Sequence, residues 1–160
     1  MVTWDPTATA LISGTNAASG TVTLSGLATQ TLGNLEYNSA SQGASIFNMA
    51  LSGTTTIQGD LDIVDAGTGS LQLAATTFTL NVNGDMNLSG PNVNTTTSSS
   101  GTFNLDGNFS QTAGTFSQTS ATVSTFNFRG SGKTWSQTGG TYTGTYFNYT
   151  ITTSPAVRLR

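Results

Sequence analysis

Neither cysteine nor histidine occurs in these 160 residues. Without thiols there is no disulfide framework and no thiolate metal site; such a fold suits a reducing cytosol or a bacterial exterior where folds manage without bridges. Without imidazole the commonest metal ligand and general base is missing. Charge is scarce as well, at 7% of residues against roughly 25% in an ordinary soluble domain. One Glu, one Lys and three Met leave few helix formers. The net charge of −3 is mild and argues against a nucleic-acid partner. No apolar run is long enough for a signal peptide or a membrane span. Met1 therefore reads as an expression start or the start of a mature fragment.

What remains is a vocabulary of strands and turns. Thr (32), Ser (19), Gly (19) and Asn (13) make up just over half the chain; Thr favours strands, and Gly, Asn and Ser favour turns. Apolar residues reach 35% and recur regularly, which separates the chain from a disordered one. Five glycine-led phrases line up: GNLEY from Gly33, GDLDI from Gly59, GDMNL from Gly84, GNFSQ from Gly107 and GKTWSQ from Gly132. A second column holds Phe78, Phe103, Phe126 and Phe147, and a third holds Leu71, Val93, Phe116 and Tyr142. Three phrases per period of about 24 residues form an internal repeat of solenoid length.

Within each phrase apolar residues alternate, as in Leu61 and Ile63, Met86 and Leu88, Phe103 and Leu105, Phe126 and Phe128. Alternation of period two marks strands with one buried face. A leucine-rich repeat would need a helical half that is missing, and an antiparallel sandwich would not keep like residues at a fixed period in one order. The expected fold is all-β: a single parallel β-solenoid over 1–160, with three short strands per coil of 21–26 residues and five to six coils. Residues 1–32, whose best strand is TVTLSG, read as a degenerate first coil or cap with Trp4 over the open end of the core, and residues 33–160 as regular coils. Like residues then stack along the rod, with Phe78, Phe103, Phe126 and Phe147 inside. IFNMAL (46–51) fits the neighbouring column, with SGTTTIQ (52–58) supplying the phenylalanine-phrase strand. PNVNTTTSSSG (91–101) reads as a protruding or mobile corner. Gln111 and Gln137 fall where earlier coils place Ile63 and Leu88, and if they point inward they must satisfy each other's amides.

The phrases QGDLDI, NGDMNLSG, TFNFRGSGKTWSQTGGTYTGTYFNYTI and PAVRLR resemble the repeat regions of large secreted surface proteins of Gram-negative bacteria, in particular the parallel β-helical repeats of adhesin-like proteins exported by the type IX route. The resemblance covers about residues 30–160 and encodes coil geometry rather than a site. It implies an extracellular or bacterial cell-surface location. Such proteins usually carry a signal peptide and a C-terminal sorting domain; neither is seen here, so the chain reads as a fragment or mature repeat block of a larger one.

Chemistry is thin. Asp60 and Asp85 hold the same place in adjacent coils, with Asp62 opposite Asn87, which makes an oxygen-rich patch that Ca²⁺ would fit; the plainer reading is carboxylates on a solvated face. A glycosidase needs two opposed carboxylates and a lyase needs a base beside acidic groups. The four bases, Arg129, Lys133, Arg158 and Arg160, all follow the last acid, Asp106. A carbohydrate-active enzyme is therefore the least favoured class, and no cofactor is expected. Thr77, Thr102 and Thr125 would form one outward column, beside Thr79, Asn104, Asn127 and Asn148. Such a face offers hydroxyls and amides to ice or to surface glycans, although Thr is also the best exposed strand residue. Tyr142, Tyr146, Tyr149, Trp135 and Phe147 crowd the last coils, mostly as core. The leading functional expectation is a non-catalytic structural or adhesive segment whose partners are further coils or other copies of itself, end to end. Asp106 and Arg129 would pair between adjacent coils.

Overall fold

A computed structural model describes residues 4–14, 18–74, 76–90, 92–96, 100–118, 121–143, 147–152 and 158–159. The first coil comprises β1 (Thr9–Ser13), β2 (Thr21–Thr23) and β3 (Thr31–Leu32), and the second β4 (Asn34–Asn38), β5 (Ile46–Asn48) and β6 (Gly53–Ile57). The third comprises β7 (Leu61–Asp65), β8 (Ser70–Ala74) and β9 (Phe78–Val82), and the fourth β10 (Met86–Leu88), β11 (Asn92–Thr96) and β12 (Gly101–Leu105). The fifth comprises β13 (Phe109–Gln111), β14 (Thr115–Ser117) and β15 (Ser124–Phe128), and the sixth β16 (Thr134–Gln137), β17 (Thr141–Thr143) and β18 (Phe147–Ile151). β19 (Arg158–Leu159) opens a seventh. No helix occurs among the described residues, and none is therefore long and apolar enough to cross a membrane.

Every third strand stacks on the last. Sheet A runs β1-β4-β7-β10-β13-β16-β19, sheet B runs β2-β5-β8-β11-β14-β17, and sheet C runs β3-β6-β9-β12-β15-β18, with all pairings parallel. The molecule is a parallel β-solenoid, and at about 4.8 Å per coil its six coils make a rod roughly 30 Å long. β5 lies in sheet B and β6 in sheet C, so IFNMAL and SGTTTIQ take the columns their phrases indicated. Residues 92–96 of the supposed protruding corner are instead a strand, β11, between β8 and β14.

Alternation delivers the core as expected. Leu61, Ile63, Met86, Leu88, Phe103, Leu105, Phe126 and Phe128 all point inward and are buried. The core changes character along the rod, from Leu35, Leu61, Ile63, Leu71 and Leu73 to Phe103, Phe109, Phe116, Phe126, Phe128 and Trp135. The phenylalanine column, however, is offset at both ends. Phe103 does lie on Phe126 with rings 5.2 Å apart and nearly parallel. Its partner below is Leu80, and the partner of Phe126 above is Tyr149. Phe78 pairs with Gly101, and Phe147 with Ser124. A side chain on Gly101 would meet the Phe78 ring at 2.5 Å, so the missing side chain is what admits Phe78 at that level.

Glycine sets the corner between sheets C and A. A Cβ on Gly84 would lie 2.6 Å from the Gly59 carbonyl oxygen and 2.2 Å from Asp60 Oδ1. The close approach lets the Gly84 amide donate to the Gly59 carbonyl at 2.9 Å, so pairing continues round the bend. Gly132 does not join this column. Trp135 pairs with Phe109, which sets Lys133 at the level of Gly107 and makes Gly130 to Gly132 a local extension of the corner.

One further expectation changes. Gln111 is buried, but its amide donates to the Thr141 carbonyl (3.0 Å) and to the Ala113 and Gly114 carbonyls (3.3 Å each), while Gln137 donates to Gly140. Backbone carbonyls thus accept from the Gln111 amide in place of the neighbouring glutamine. Trp4 is 36% exposed, and Ala10, Ile12, Val22, Leu24 and Leu27 of the first coil are half-buried. Among the C-terminal aromatics Trp135 is buried, Tyr142 and Phe147 are half-buried and Tyr149 is exposed; Tyr146 lies outside the described residues.

Candidate binding face

The outward side of sheet C is the most regular polar surface of the rod. β6, β9, β12, β15 and β18 each turn two side chains outward, and in β9, β12 and β15 the alternate residues on either side of them are buried in the core. One column reads Thr54, Thr79, Thr102, Thr125 and Asn148, and the next reads Thr56, Asn81, Asn104, Asn127 and Thr150. The two columns are real, but their membership differs from the expected one. Thr79 belongs with Thr102, Thr125 and Asn148, and Asn81 takes the place beside Asn104 and Asn127. Thr77 precedes β9, exposed and outside the sheet.

The asparagines form a ladder. Asn127 Nδ2 donates to Asn104 Oδ1 and Asn104 Nδ2 donates to Asn81 Oδ1, each at 2.8 Å; Asn81 Nδ2 reaches Thr56 Oγ1 at 3.2 Å. Part of each amide is therefore engaged along the rod axis, which orients the side chains identically from coil to coil.

A second ladder runs up the corner that leads into sheet A. Asp60 N donates to Asn34 Oδ1 (2.9 Å), Asp85 N to Asp60 Oδ1 (2.7 Å), Asn108 N to Asp85 Oδ1 (2.7 Å) and Thr134 N to Asn108 Oδ1 (3.1 Å). Asn108 Nδ2 also bonds both Asp85 oxygens. Asp62 does stand opposite Asn87, whose Nδ2 donates to it at 2.8 Å. In the oxygen-rich patch, one oxygen each of Asp60 and Asp62 and both oxygens of Asp85 thus accept from amide donors. No group of three or more His, Cys, Asp or Glu side chains among the described residues is placed to hold a metal ion. One coil on, Arg129 Nε and Nη2 grip Asp106 at 2.9 and 3.0 Å, the expected pair, with both side chains over a third exposed. Its contribution is that of a surface pair, about 0–1 kcal/mol.

The corner between sheets A and B carries a shallow depression of about 380 Å³ where glycines such as Gly67, Gly90 and Gly114 leave no side chains, and Asp65, Thr68 and Ser89 supply the polar edge. Asp65 Oδ1 accepts from Gly67 N at 2.8 Å. As the one carboxylate there, it has no partner with which to divide acid and base roles. The ladders and the buried Tyr37–Gln42 hydrogen bond were not foreseen from the sequence. The recurrence of Asn or Asp after each corner glycine was the visible signal for the corner ladder. Comparison with protein-family models, with curated proteins and with solved structures found no match.

Proposed function

We propose that the chain is a non-catalytic structural or adhesive β-solenoid segment of a secreted bacterial cell-surface or extracellular filament protein. The observation that carries this reading is where the polar side chains go. On the corner and on sheet C they bond from coil to coil along the axis, so the side chains that vary least in role maintain the rod rather than converge on a reactive point. The resemblance of its phrases to adhesin-like repeats exported by the type IX route points the same way. Antibody labelling of the source organism tests it. Signal on intact cells or shed filaments is the expected result, and signal found only after lysis would overturn it.

A second reading, a glycan- or ice-binding face, draws on one observation: the in-register Thr54, Thr79, Thr102 and Thr125 on a parallel sheet. Partition of a fluorescently tagged chain into growing ice and onto insoluble cellulose or chitin, compared with a Thr102→Lys variant, tests it. Retention that the substitution abolishes would favour this reading, and equal loss of both proteins to the liquid phase would end it.

A further inference from the structure

From β6 to β15 the strands of sheet C keep an unbroken register, so each outward residue lies directly over its counterpart. In sheet A, by contrast, the register shifts between Tyr37 and Asn38. Two outward columns of sheet C therefore repeat at one strand spacing, about 4.8 Å along the rod. One holds Thr54, Thr79, Thr102 and Thr125; the other, two residues further along each strand, holds Thr56, Asn81, Asn104 and Asn127. These residues lie in the second to fifth coils, each with a coil below and above it.

A side-chain amide offers two N–H donors and two acceptor lone pairs. Asn104 uses one N–H on Asn81 Oδ1 and one lone pair on Asn127 Nδ2, and Asn81 uses one N–H on Thr56 Oγ1 and one lone pair on Asn104. Each keeps one N–H and one lone pair that no described residue engages, on a side chain that is partly exposed. Because the ladder bonds hold these amides in one orientation, the row presents the same free donor and acceptor at each rung. No charged residue stands in either column, so the face itself attracts neither polyanions nor polycations. Its complement is a neutral array of donors and acceptors that repeats at the spacing of the rungs.

We propose that this face binds the surface of crystalline chitin, a solid of stacked N-acetylglucosamine chains. In such a solid the chains are joined through their own acetamide groups, N–H to C=O from one chain to the next, at a spacing close to that of β-strands, about 4.8 Å. Chains laid parallel to the strands of sheet C meet one rung each. The free N–H and carbonyl oxygen of the asparagine engage an acetamide, and the threonine hydroxyl, about 6.6 Å away along the strand, engages a ring hydroxyl of the same chain. A single chain touches one Asn and one Thr, so the contact gains strength only by repetition over successive rungs. The ligand is therefore the stacked surface and not the soluble sugar. Cellulose offers hydroxyls without amides, and ice offers no amide. The proposal rests on the glycan-binding reading of sheet C and narrows it to polymers of N-acetylated amino sugars.

The test is retention of the full chain on insoluble crystalline chitin and on crystalline cellulose in parallel, at low and high salt. Chitin should hold the parent in preference to cellulose, and at either salt, since no charge takes part. Combining Asn81→Thr, Asn104→Thr and Asn127→Thr keeps a neutral face of good strand formers but removes the amides. This triple variant should lose about tenfold or more of its affinity for chitin and none of its affinity for cellulose. Circular dichroism shows whether it has folded; if it has not, Asn104→Thr alone, which interrupts the ladder at its middle, should give a smaller loss in the same direction. Soluble N-acetylglucosamine oligomers should not displace the bound protein. No retention on chitin, equal retention on the two solids, retention lost at high salt, an undiminished chitin preference in the Asn→Thr variants, or displacement by the soluble oligomers each overturns the proposal. Retention on cellulose or ice that Thr102→Lys abolishes would still uphold sheet C as a binding face, so the narrower and the wider readings fail separately.

Discussion

At the scale of single residues, the acids of this chain act mainly as acceptors. Asn34, Asp60, Asp85 and Asn108 hold one corner position and each takes the backbone amide of the next coil. Amide and carboxylate oxygens do the same work there, so charge is incidental to it. Asp60→Asn is expected to keep stability within about 0.5 kcal/mol, whereas Asp60→Ala leaves the Asp85 amide without its acceptor and costs about 1–3 kcal/mol. Denaturant melts of the two variants check this, and equal losses would mean that the carboxylate charge is what counts. Titration matters more at Tyr142. Burial pushes its phenol above the usual value near 10, with the neighbouring Tyr149 adding to the shift. Because the unfolded chain ionises first, near pH 10, the folded state loses ground as pH rises above that value and keeps its full stability below it. Melting at pH 9 and pH 11 should show a drop that Tyr142→Phe reduces. An unchanged drop would assign the alkaline sensitivity elsewhere.

At the scale of strands and coils, the central phenylalanine stack dominates. Phe103 is 1% exposed and its ring lies 5.2 Å from both Phe78 and Phe126 and 6.0 Å from Phe116. Phe103→Ala should cost roughly 3–5 kcal/mol, which for a domain of this size lowers Tm by about 10 °C or so. Calorimetry decides it, and a shift of a degree or two would contradict so central a place. The strands, their inward faces and their parallel order were legible in the sequence, because period-two alternation inside a period of about 24 residues leaves few other folds. Register was legible only modulo two. Sliding β9 by two residues keeps Phe78, Leu80 and Val82 all inward, so the apolar pattern alone does not choose between Phe78 and Leu80 as the partner of Phe103. The choice is made by Gly101, whose missing side chain makes room for the Phe78 ring, a packing fact that no single-strand pattern carries. The same slip displaced the outward columns, so that Thr79 was set beside the asparagines where Asn81 stands. The longer corner at Gly130 to Gly132 hid the place of Lys133, and Gln111 was misjudged because its amide answers to nearby turn carbonyls.

At the scale of the whole rod, each coil touches only its neighbours, so stability is close to a sum of coil and interface contributions. That sum is uneven. Leu32 and Trp135 are buried, but the other inward residues of the first and sixth coils are half-buried or exposed, while the middle coils bury Leu61, Ile63, Leu80, Phe103, Phe109, Phe116 and Phe126 almost completely. The two halves also differ in kind. The rings of Phe103, Phe109, Phe116, Phe126, Phe128 and Trp135 form one connected set, and aromatic pairs add about 0.5–1.5 kcal/mol each beyond their burial. Protection against local opening should therefore peak off centre, toward the C-terminal side of the middle, and fall toward both ends. Amide hydrogen exchange measures this strand by strand. The slowest amides are expected in β12, β13 and β15, intermediate rates in β7 to β9, and the fastest in β1, β2 and β17. Uniform protection from β1 to β18 at low concentration would mean that the rod opens only as a single unit, and coil-by-coil additivity would then be the wrong description of it.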